Sequence, residues 1–232
     1  MITLNLKNKI VIVTGGTQGV GEGIARAAAA AGAAGLCLGG RDATRGERLA
    51  AELSGGGCPA IFIGGDLGDA AICRKIAAHT EQRFGRIDGL VNAAGLTDRG
   101  RIEDTSIELW DRLFAVNVRA PFILTQELVR GLKKSGRPGS IVNIITMSSH
   151  GGQPFLTAYS SSKGALATLT KNCAHALRQD RIRVNGLNIG WTDTPGEHAI
   201  QKRDGNPADW LQRAEPTQPF GRQMSPPWRY TC

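Results

Sequence analysis

The stretch TGGTQGVG, residues 14–21, lies between a short β-branched run and an alanine-rich segment. The run before it, KIVIVTGG (9–16), is typical of a buried strand, and VGEGIARAAAAAG (20–32) is typical of a helix that ends at glycine. Glycines at such a junction let the backbone turn sharply and approach a pyrophosphate, which the free N–H groups of the helix N-terminus can bind. A plain strand-to-helix turn is the alternative. The stretch therefore favours a dinucleotide-binding unit at the start of the chain.

Strand-like and helix-like segments alternate from this turn onward. Further strands are predicted at 35–40, 60–66, 87–95, 139–149 and 182–190. Helices are predicted at 43–53, 70–85, 106–134 and 158–177, with Pro121 bending the third or being tolerated by packing. Without repeats or a mid-chain linker, this alternation predicts one α/β domain over residues 1–232, a doubly wound parallel sheet of the Rossmann type in three layers.

Composition narrows the class of function. The net charge of +8 comes from scattered basic residues, which fits an anionic small ligand at least as well as nucleic acid, so no nucleic-acid partner is predicted. Five cysteines without a CxxC pair, and four histidines without an HExxH pattern, indicate neither a disulfide framework nor a metal site. Since no apolar run reaches membrane-spanning length and the N-terminus lacks a signal-peptide layout, we expect no membrane partner and a cytoplasmic location.

A second motif, YSSSK at 159–163, places Tyr159 four residues before Lys163. On a helix these two side chains share one face. A free tyrosine has a pKa of about 10, and a nearby ammonium group lowers that pKa towards the range useful for proton transfer. An exposed tyrosine–lysine pair is the alternative interpretation of the motif by itself.

Four motifs in order resemble the short-chain dehydrogenase/reductase family. Thr14 to Gly21 match its TGxxxGxG turn, NAAG (92–95) its NNAG-type loop, Asn117 its helix asparagine, and YSSSK its YxxxK pair. The resemblance covers residues 14 to about 194. It implies an oxidoreductase that moves a hydride between a nicotinamide cofactor and a carbonyl or secondary alcohol, with Tyr159 as acid and base. Lys163 is then expected to hold the nicotinamide ribose as well.

The same resemblance, taken position by position, implies a cofactor site. It comprises Thr14, Gly15, Thr17, Gln18, Gly19, Val20, Gly21, Arg41, Asp66, Leu67, Asn92, Ala93, Ala94, Gly95, Tyr159, Lys163, Gly190, Thr192 and Thr194. Asp66 is expected to contact the adenine ring, with a helix N-cap as the alternative or additional role. After the sixth strand the chain reads IGWTDT (189–194), where Ile189 replaces the usual proline.

The residues after the second strand favour NADP(H) over NAD(H). The segment reads LGGRD, so Gly40 occupies the position where an acidic residue would bind the ribose hydroxyl. The guanidinium of Arg41 can instead hold a 2′-phosphate with two hydrogen bonds. The alternative is that Arg41 is a solvated turn residue and Asp42 binds the ribose.

The remaining candidates surround Tyr159. The family's carbonyl-orienting serine corresponds by spacing to Thr146, with Ser148 as the rival if the strand stays extended. Asn117 is expected to kink its helix and hold a water that links the lysine to solvent, the alternative being a structural asparagine. His150, Gln153 and Trp191 are candidates for the substrate pocket, although each suits packing or a loop surface equally well.

The end of the chain departs from the family pattern. After PFGR (219–222), residues 223–232 form an atypical tail without helical or strand periodicity, so we expect six strands with the usual seventh absent. We further expect a mobile substrate lid at 191–218 and a homodimer through the helices at 106–134 and 158–177.

Three functions therefore remain open. The first is an NADP(H)-dependent alcohol dehydrogenase or ketone reductase acting on a small molecule. The second is an NAD(H)-dependent sugar, polyol or 3-oxoacyl-type reductase. The third is a catalytically weak or silent cofactor-binding protein, which the altered end and Thr146 would favour.

Overall fold

The computed structural model describes residues 5–218. The strands are β1 (Ile10–Thr14), β2 (Gly35–Gly40), β3 (Ala60–Gly64), β4 (Gly89–Asn92), β5 (Gly139–Thr146) and β6 (Ile182–Ile189). The helices are α1 (Gly19–Ala30), α2 (Ala43–Gly55), α3 (Ala70–Phe84), α4 (Ile107–Phe114), α5 (Ala120–Ser135), α6 (Thr157–Ala176), α7 (Pro195–Arg203) and α8 (Trp210–Ala214). The six predicted strands are present in order, and most predicted helices are present with shifts of a few residues at their ends, whereas α7 and α8 were not predicted as helices.

The six strands form one parallel sheet in the order β3-β2-β1-β4-β5-β6. The order reverses at β1, which pairs with β2 on one side and β4 on the other. A crevice opens outside the carboxyl ends of the strands at such a switch point, where ligands of doubly wound sheets bind. The predicted doubly wound fold is thereby confirmed.

Helices cover both faces of the sheet, and β1 shows the consequence in its sequence. Ile12 packs into a core with side chains of α3 and α5, whereas Val11 and Val13 pack into a core with side chains of α1 and α2. A strand buried on both faces needs apolar residues at every position, which explains the uninterrupted run IVIV.

The long helix predicted at 106–134 is not uniform. α4 passes into a π-helical segment, Ala115–Arg119, before α5 continues. Pro121 lies directly after the π segment, at the beginning of α5. Single-turn π segments widen a helix locally and occur often at functional sites. The predicted distortion is present, but a π segment around Asn117 produces it.

The strand predicted at 139–149 ends earlier, at Thr146. Met147–His150 form a 3-10 turn, and the Thr146 hydroxyl accepts a hydrogen bond of 3.2 Å from the Ser148 N–H. This side chain to backbone bond competes with the extended ladder and stops the strand. Thr146 and Ser148 therefore do not share a face as they would in an extended strand.

At the far edge, β6 pairs only with β5 among the described strands. Leu187 on β6 is 52% exposed, so part of this strand is uncovered. Residues 219–222 and the tail at 223–232 lie outside the described residues. Within the described residues, no helix is both long enough and apolar enough to cross a membrane.

Candidate active site

A cleft of roughly 1440 Å³ lies at the carboxyl ends of the strands. Most of the predicted site residues line it: Gly15, Thr17, Gln18, Gly19, Val20, Gly21, Arg41, Asp66, Leu67, Ala93, Ala94, Gly95, Thr146, Ser148, Gln153, Tyr159, Lys163, Gly190, Trp191, Thr192 and Thr194. Four predicted residues do not: Thr14, Asn92, Asn117 and His150. The first three lie behind the wall, whereas the imidazole of His150 lies 3.4 Å from the amide of Asn188.

The glycines of the first turn leave no room for side chains. Gly15 has a φ of +65°, and a Cβ placed on it would lie 2.8 Å from the Cα of Ala94. A Cβ on Gly21 would lie 2.1 Å from the Gly15 carbonyl oxygen. The backbone of this turn thus packs directly on the loop after β4, and the N-terminus of α1 faces the cleft.

Thr14 and Asn92 fix that loop from behind. The Thr14 hydroxyl accepts a hydrogen bond of 3.3 Å from the Ala94 N–H. The Asn92 amide donates to the side-chain oxygen of Asn143, and Asn143 donates to the Thr170 hydroxyl, both over 2.8 Å. This polar ladder crosses from β4 through β5 to α6. Asn143 was not predicted, although a lone amide in the apolar strand SIVNIIT is a usable signal.

Tyr159 and Lys163 come together on α6, as the spacing predicts, but burial dominates their protonation. Burial raises the pKa of Tyr159 to about 12, while a hydrogen bond with the Thr146 hydroxyl acts more weakly in the opposite direction. The ammonium of Lys163 is buried and donates to the Ile144 carbonyl over 2.9 Å, and burial lowers its pKa to about 8. Desolvation is the largest cause of the shift at Tyr159, so the pKa of the phenol moves in the direction opposite to the lowering expected from Lys163.

The two hydroxyl candidates near Tyr159 differ in their surroundings. Thr146 is buried, and its hydroxyl contacts the phenol of Tyr159. The Ser148 hydroxyl donates to the side-chain oxygen of Gln153 over 2.9 Å. Although both residues line the cleft, Thr146 and not Ser148 is the hydroxyl residue that affects the pKa of the phenol.

Asn117 is fully buried and joins three elements. Its side-chain oxygen accepts from the Leu96 N–H over 2.9 Å, and its amide donates to the Leu96 carbonyl and the Ser162 hydroxyl over 3.0 Å each. The Ser162 hydroxyl in turn donates to the Tyr159 carbonyl over 2.7 Å. The π segment, the loop after β4 and α6 are thus held in register. Ser162, one of the serines between Tyr159 and Lys163, was not predicted.

The end of the cleft beyond β2 is basic. Arg41 is exposed there, whereas Asp42 caps α2 and accepts from the Arg45 N–H over 2.9 Å and from the Arg45 Nε over 2.7 Å. The backbone hydrogen bond from Arg45 is the largest cause that lowers the pKa of Asp42. Arg45 also donates to the side-chain oxygen of Gln18 and lines the cleft. Sequence reasoning missed Arg45, although it stands four residues after Arg41.

Asp66 lines the cleft without capping the helix that follows. Its carboxylate accepts from the Gly68 N–H over 2.8 Å, while Asp69 caps α3 by accepting from the Ala71 N–H. The alternative role of Asp66 as helix N-cap is therefore wrong.

The segment predicted as a lid forms the other wall of the cleft. Glu197 on α7 accepts hydrogen bonds from Arg99 over 3.0 Å and from the Trp191 indole over 2.9 Å. Trp191 and Gln153 line the cleft as predicted. Sequence reasoning missed Arg99 and Glu197, which carry no motif and lie far apart along the chain.

In the part of the chain that the structure describes, no three His, Cys, Asp or Glu residues are grouped as metal ligands.

Comparisons with known proteins agree with this geometry. A family model described as short chain dehydrogenase matches residues 9–205. The chain is 37% identical over 197 residues to the NADP-dependent (R)-specific alcohol dehydrogenase of Lentilactobacillus kefiri, covering 84% of this chain and 77% of that one. It is 35% identical over 219 residues to an uncharacterised oxidoreductase of Thermotoga maritima, covering 94% and 86%.

A solved short-chain type dehydrogenase/reductase from Mycobacterium marinum superposes with a TM-score of 0.86 at 28% identity, covering 97% of this chain and 86% of the other. The family match spans the glycine turn, the Asn117 segment and the Tyr159–Lys163 pair. The chain therefore belongs to the short-chain dehydrogenase/reductase family of NAD(P)-dependent oxidoreductases.

Proposed function

We propose that this protein is an NADP(H)-dependent carbonyl reductase and secondary alcohol dehydrogenase in which Tyr159 transfers the proton. The observation that carries the proposal is the position of Tyr159, whose phenol interacts with the Thr146 hydroxyl, at the cleft that the glycine turn also lines. NADP dependence of the Lentilactobacillus kefiri relative supports the choice of cofactor.

The residues fit a dinucleotide phosphate. A Cβ at Gly15 or Gly21 would clash with neighbouring backbone atoms, so the glycines allow the tight turn that leads into α1. The N–H groups at the N-terminus of α1 are available for the pyrophosphate. Arg41 and Arg45 would hold the 2′-phosphate with charge-assisted hydrogen bonds. Asp42 is already engaged by Arg45, which disfavours the alternative that its carboxylate selects NAD.

The proton chemistry follows from burial. NADPH, when bound in this cleft, would supply a hydride to the carbonyl carbon. Because the pKa of Tyr159 is raised to about 12, the phenol is protonated at neutral pH and can donate its proton to the developing alkoxide oxygen. The Thr146 hydroxyl orients the same oxygen and stabilises the phenolate that remains. In the direction of alcohol oxidation the same groups act in reverse, with the phenolate as base.

Lys163 and Asn117 assist the proton transfer, Lys163 through its ammonium group and Asn117 by positioning α6. Below about pH 8 the Lys163 side chain is an ammonium that can hold the nicotinamide ribose hydroxyls and return a proton towards Tyr159. Asn117 is a positioning residue, because its hydrogen bonds fix α6 against the loop after β4. Its predicted role in holding a water for proton return remains a prediction.

We also keep the expectations of a mobile lid at 191–218, of a cytoplasmic location and of a homodimer. Ile107 on α4 is 71% exposed and Phe122 on α5 is 47% exposed, so this helical surface presents apolar side chains that a second copy could cover.

A screen of carbonyls and alcohols by nicotinamide absorbance, run with NADPH and with NADH, tests the function. We expect turnover of neutral ketones with a higher kcat/KM for NADPH. A clear preference for NADH would favour the NAD(H)-dependent sugar, polyol or 3-oxoacyl-type alternative. Tight NADPH binding by fluorescence titration without turnover of any carbonyl would favour the catalytically silent alternative.

A further inference from the structure

Glu197 places a carboxylate at the cleft that the mechanism above does not use. It lies on α7 and lines the cleft, and its side chain is 12% exposed. Its N–H donates to the Thr194 hydroxyl over 3.2 Å, which fixes the residue in the first turn of the helix. A carboxylate that is largely buried needs strong partners to remain charged.

All partners of this carboxylate use one of its two oxygens. Arg99 over 3.0 Å, the Trp191 indole over 2.9 Å and the Gln201 amide over 2.6 Å all donate to Oε1. The second oxygen, Oε2, accepts no hydrogen bond from the described residues and is not sealed away from solvent. The hydrogen bonds to Oε1 thus hold Glu197 in place, and Oε2 can still accept a hydrogen bond from a ligand.

Arg99 is not free to bind an anionic substrate group beside Glu197, because its guanidinium is already engaged by other side chains. The guanidinium that contacts Glu197 also lies 3.4 Å from the Asp204 carboxylate, and its face lies over the ring of Phe155. Arg203 is likewise paired with Asp98 and Asp204. The negative charge of Glu197 reaches Tyr159, whose pKa it helps to raise. The Glu197 carboxylate would therefore repel an anionic substrate group near the reacting carbonyl.

We propose that Glu197 determines substrate specificity, with its Oε2 accepting a hydrogen bond from a second hydroxyl group of the substrate. The substrates would be neutral hydroxy ketones and the corresponding diols, while oxo acids would be disfavoured. This inference rests on the proposed carbonyl reductase function and names its substrate class. The second hydroxyl is unchanged by the reaction, in which the carbonyl carbon receives a hydride and the carbonyl oxygen receives a proton.

Matched ketone pairs test the proposal. Each pair contains a methyl ketone with a terminal hydroxyl one, two or three carbons from the carbonyl, and the ketone in which a methyl group replaces that hydroxyl; hydroxyacetone and butanone are the shortest pair. We expect wild-type kcat/KM with NADPH to favour the hydroxy ketone in at least one pair by about tenfold, since hydrogen bonds to charged acceptors are stronger than those between neutral groups. Pyruvate is expected to be the poorest substrate.

The variant Glu197→Gln keeps an oxygen for the donors to Oε1 but replaces Oε2 by an N–H group. We expect the preference for the hydroxy ketone to fall about tenfold and the rate with pyruvate to rise relative to butanone. Because each preference is a ratio measured on one preparation, loss of folded enzyme cancels. Asp209→Asn is the matched control, since Asp209 lies in the same segment, has a side chain that is 44% exposed and pairs with Arg213. The control should keep the wild-type preference.

The outcomes separate this inference from the function on which it rests. If wild type reduces ketones but prefers the methyl partner in every pair, or if Glu197→Gln keeps the wild-type preference, the role of Glu197 is overturned and the reductase function stands. If no ketone is reduced, the reductase function fails. Calorimetric titration of the NADPH-loaded wild type and Glu197→Gln with each pair then decides the binding role: a hydroxyl preference lost in the variant supports it, and equal affinities overturn it.

Discussion

The Nζ atom of Lys163 donates a hydrogen bond of 2.9 Å to the carbonyl oxygen of Ile144 on the neighbouring strand β5. This contact places an ammonium group inside the protein, beneath the cleft and in reach of the ribose that Lys163 is proposed to hold. Burial lowers its pKa to about 8, which means that folding disfavours the charged form. Lys163 is thus positioned for function at the expense of stability.

Replacing Lys163 by methionine should stabilise the fold and abolish turnover. The unfolded lysine has a pKa near 10.5 and the folded one near 8, so the cost of burying the ammonium is fully present below about pH 8 and disappears as the pH rises to about 10.5. Lys163→Met should therefore raise the melting temperature at pH 7, by an amount that corresponds to about 0.5–2 kcal/mol, and by less at pH 10. Lys171 lies at an exposed position of the same helix, so Lys171→Met should change neither the melting temperature nor the turnover. A destabilised Lys163→Met protein at pH 7 would contradict this explanation.

Thr146 rather than Ser148 should matter for catalysis. Thr146→Val removes the hydroxyl that contacts the Tyr159 phenol and should lower kcat by about 100-fold, in the range found for loss of one transition-state donor. Thr146→Ser keeps the hydroxyl and should retain most of the rate, whereas Ser148→Ala should stay near wild type because that hydroxyl is bonded to Gln153. Steady-state kinetics with one ketone compare all three. Loss of turnover confined to Ser148→Ala would reverse the assignment.

Arg41 should control the choice between NADPH and NADH. Arg41→Ala should raise KM for NADPH about tenfold to 100-fold, since charge-assisted hydrogen bonds to the 2′-phosphate are lost, and should leave KM for NADH within about twofold. Arg48→Ala is a suitable control because Arg48 is exposed on α2 and does not line the cleft. If Arg41→Ala changed the KM for NADPH and the KM for NADH equally, Arg41 would not bind the 2′-phosphate.

The dimer should depend on the apolar surface of α4. Trp110 is 37% exposed and stacks on Phe114 at a ring separation of 4.7 Å. Trp110→Glu should convert a dimer into monomers in sedimentation velocity, because a carboxylate would be buried without a partner in the interface. Ile102→Glu, at a position that is 80% exposed and outside the two helices, is the control. A stable tetramer of the wild type, or a dimer unaffected by Trp110→Glu, would argue against this interface.

Local patterns predicted the fold and the placement of Tyr159 and Lys163 on one helix, because both depend on short spacings. The period of apolar residues identified the strands, and the four-residue step from Tyr159 to Lys163 placed both on one face of α6. The position of the glycines between β1 and α1 was enough to predict a dinucleotide-binding turn there.

The remaining features depend on contacts between distant segments. Glu197 and Arg99 lie 98 residues apart, and nothing in either neighbourhood indicates that they meet. The end of β5 at Thr146 depends on one side chain to backbone bond, which the apolar run before it does not show. The direction of the pKa shift at Tyr159 could not be predicted either, because it reflects burial by the whole domain rather than the nearby lysine.

The most direct test of the central claim is the rate of ketone reduction by Tyr159→Phe, measured in a single turnover after NADPH binding has been checked by fluorescence titration. We expect unchanged NADPH affinity and a rate lowered by about 1,000-fold or more, since the phenol supplies the proton and general acid catalysis contributes about 100-fold to 10,000-fold. A variant that binds NADPH and reduces the ketone within about tenfold of the wild-type rate would contradict the assignment of Tyr159 as the proton donor.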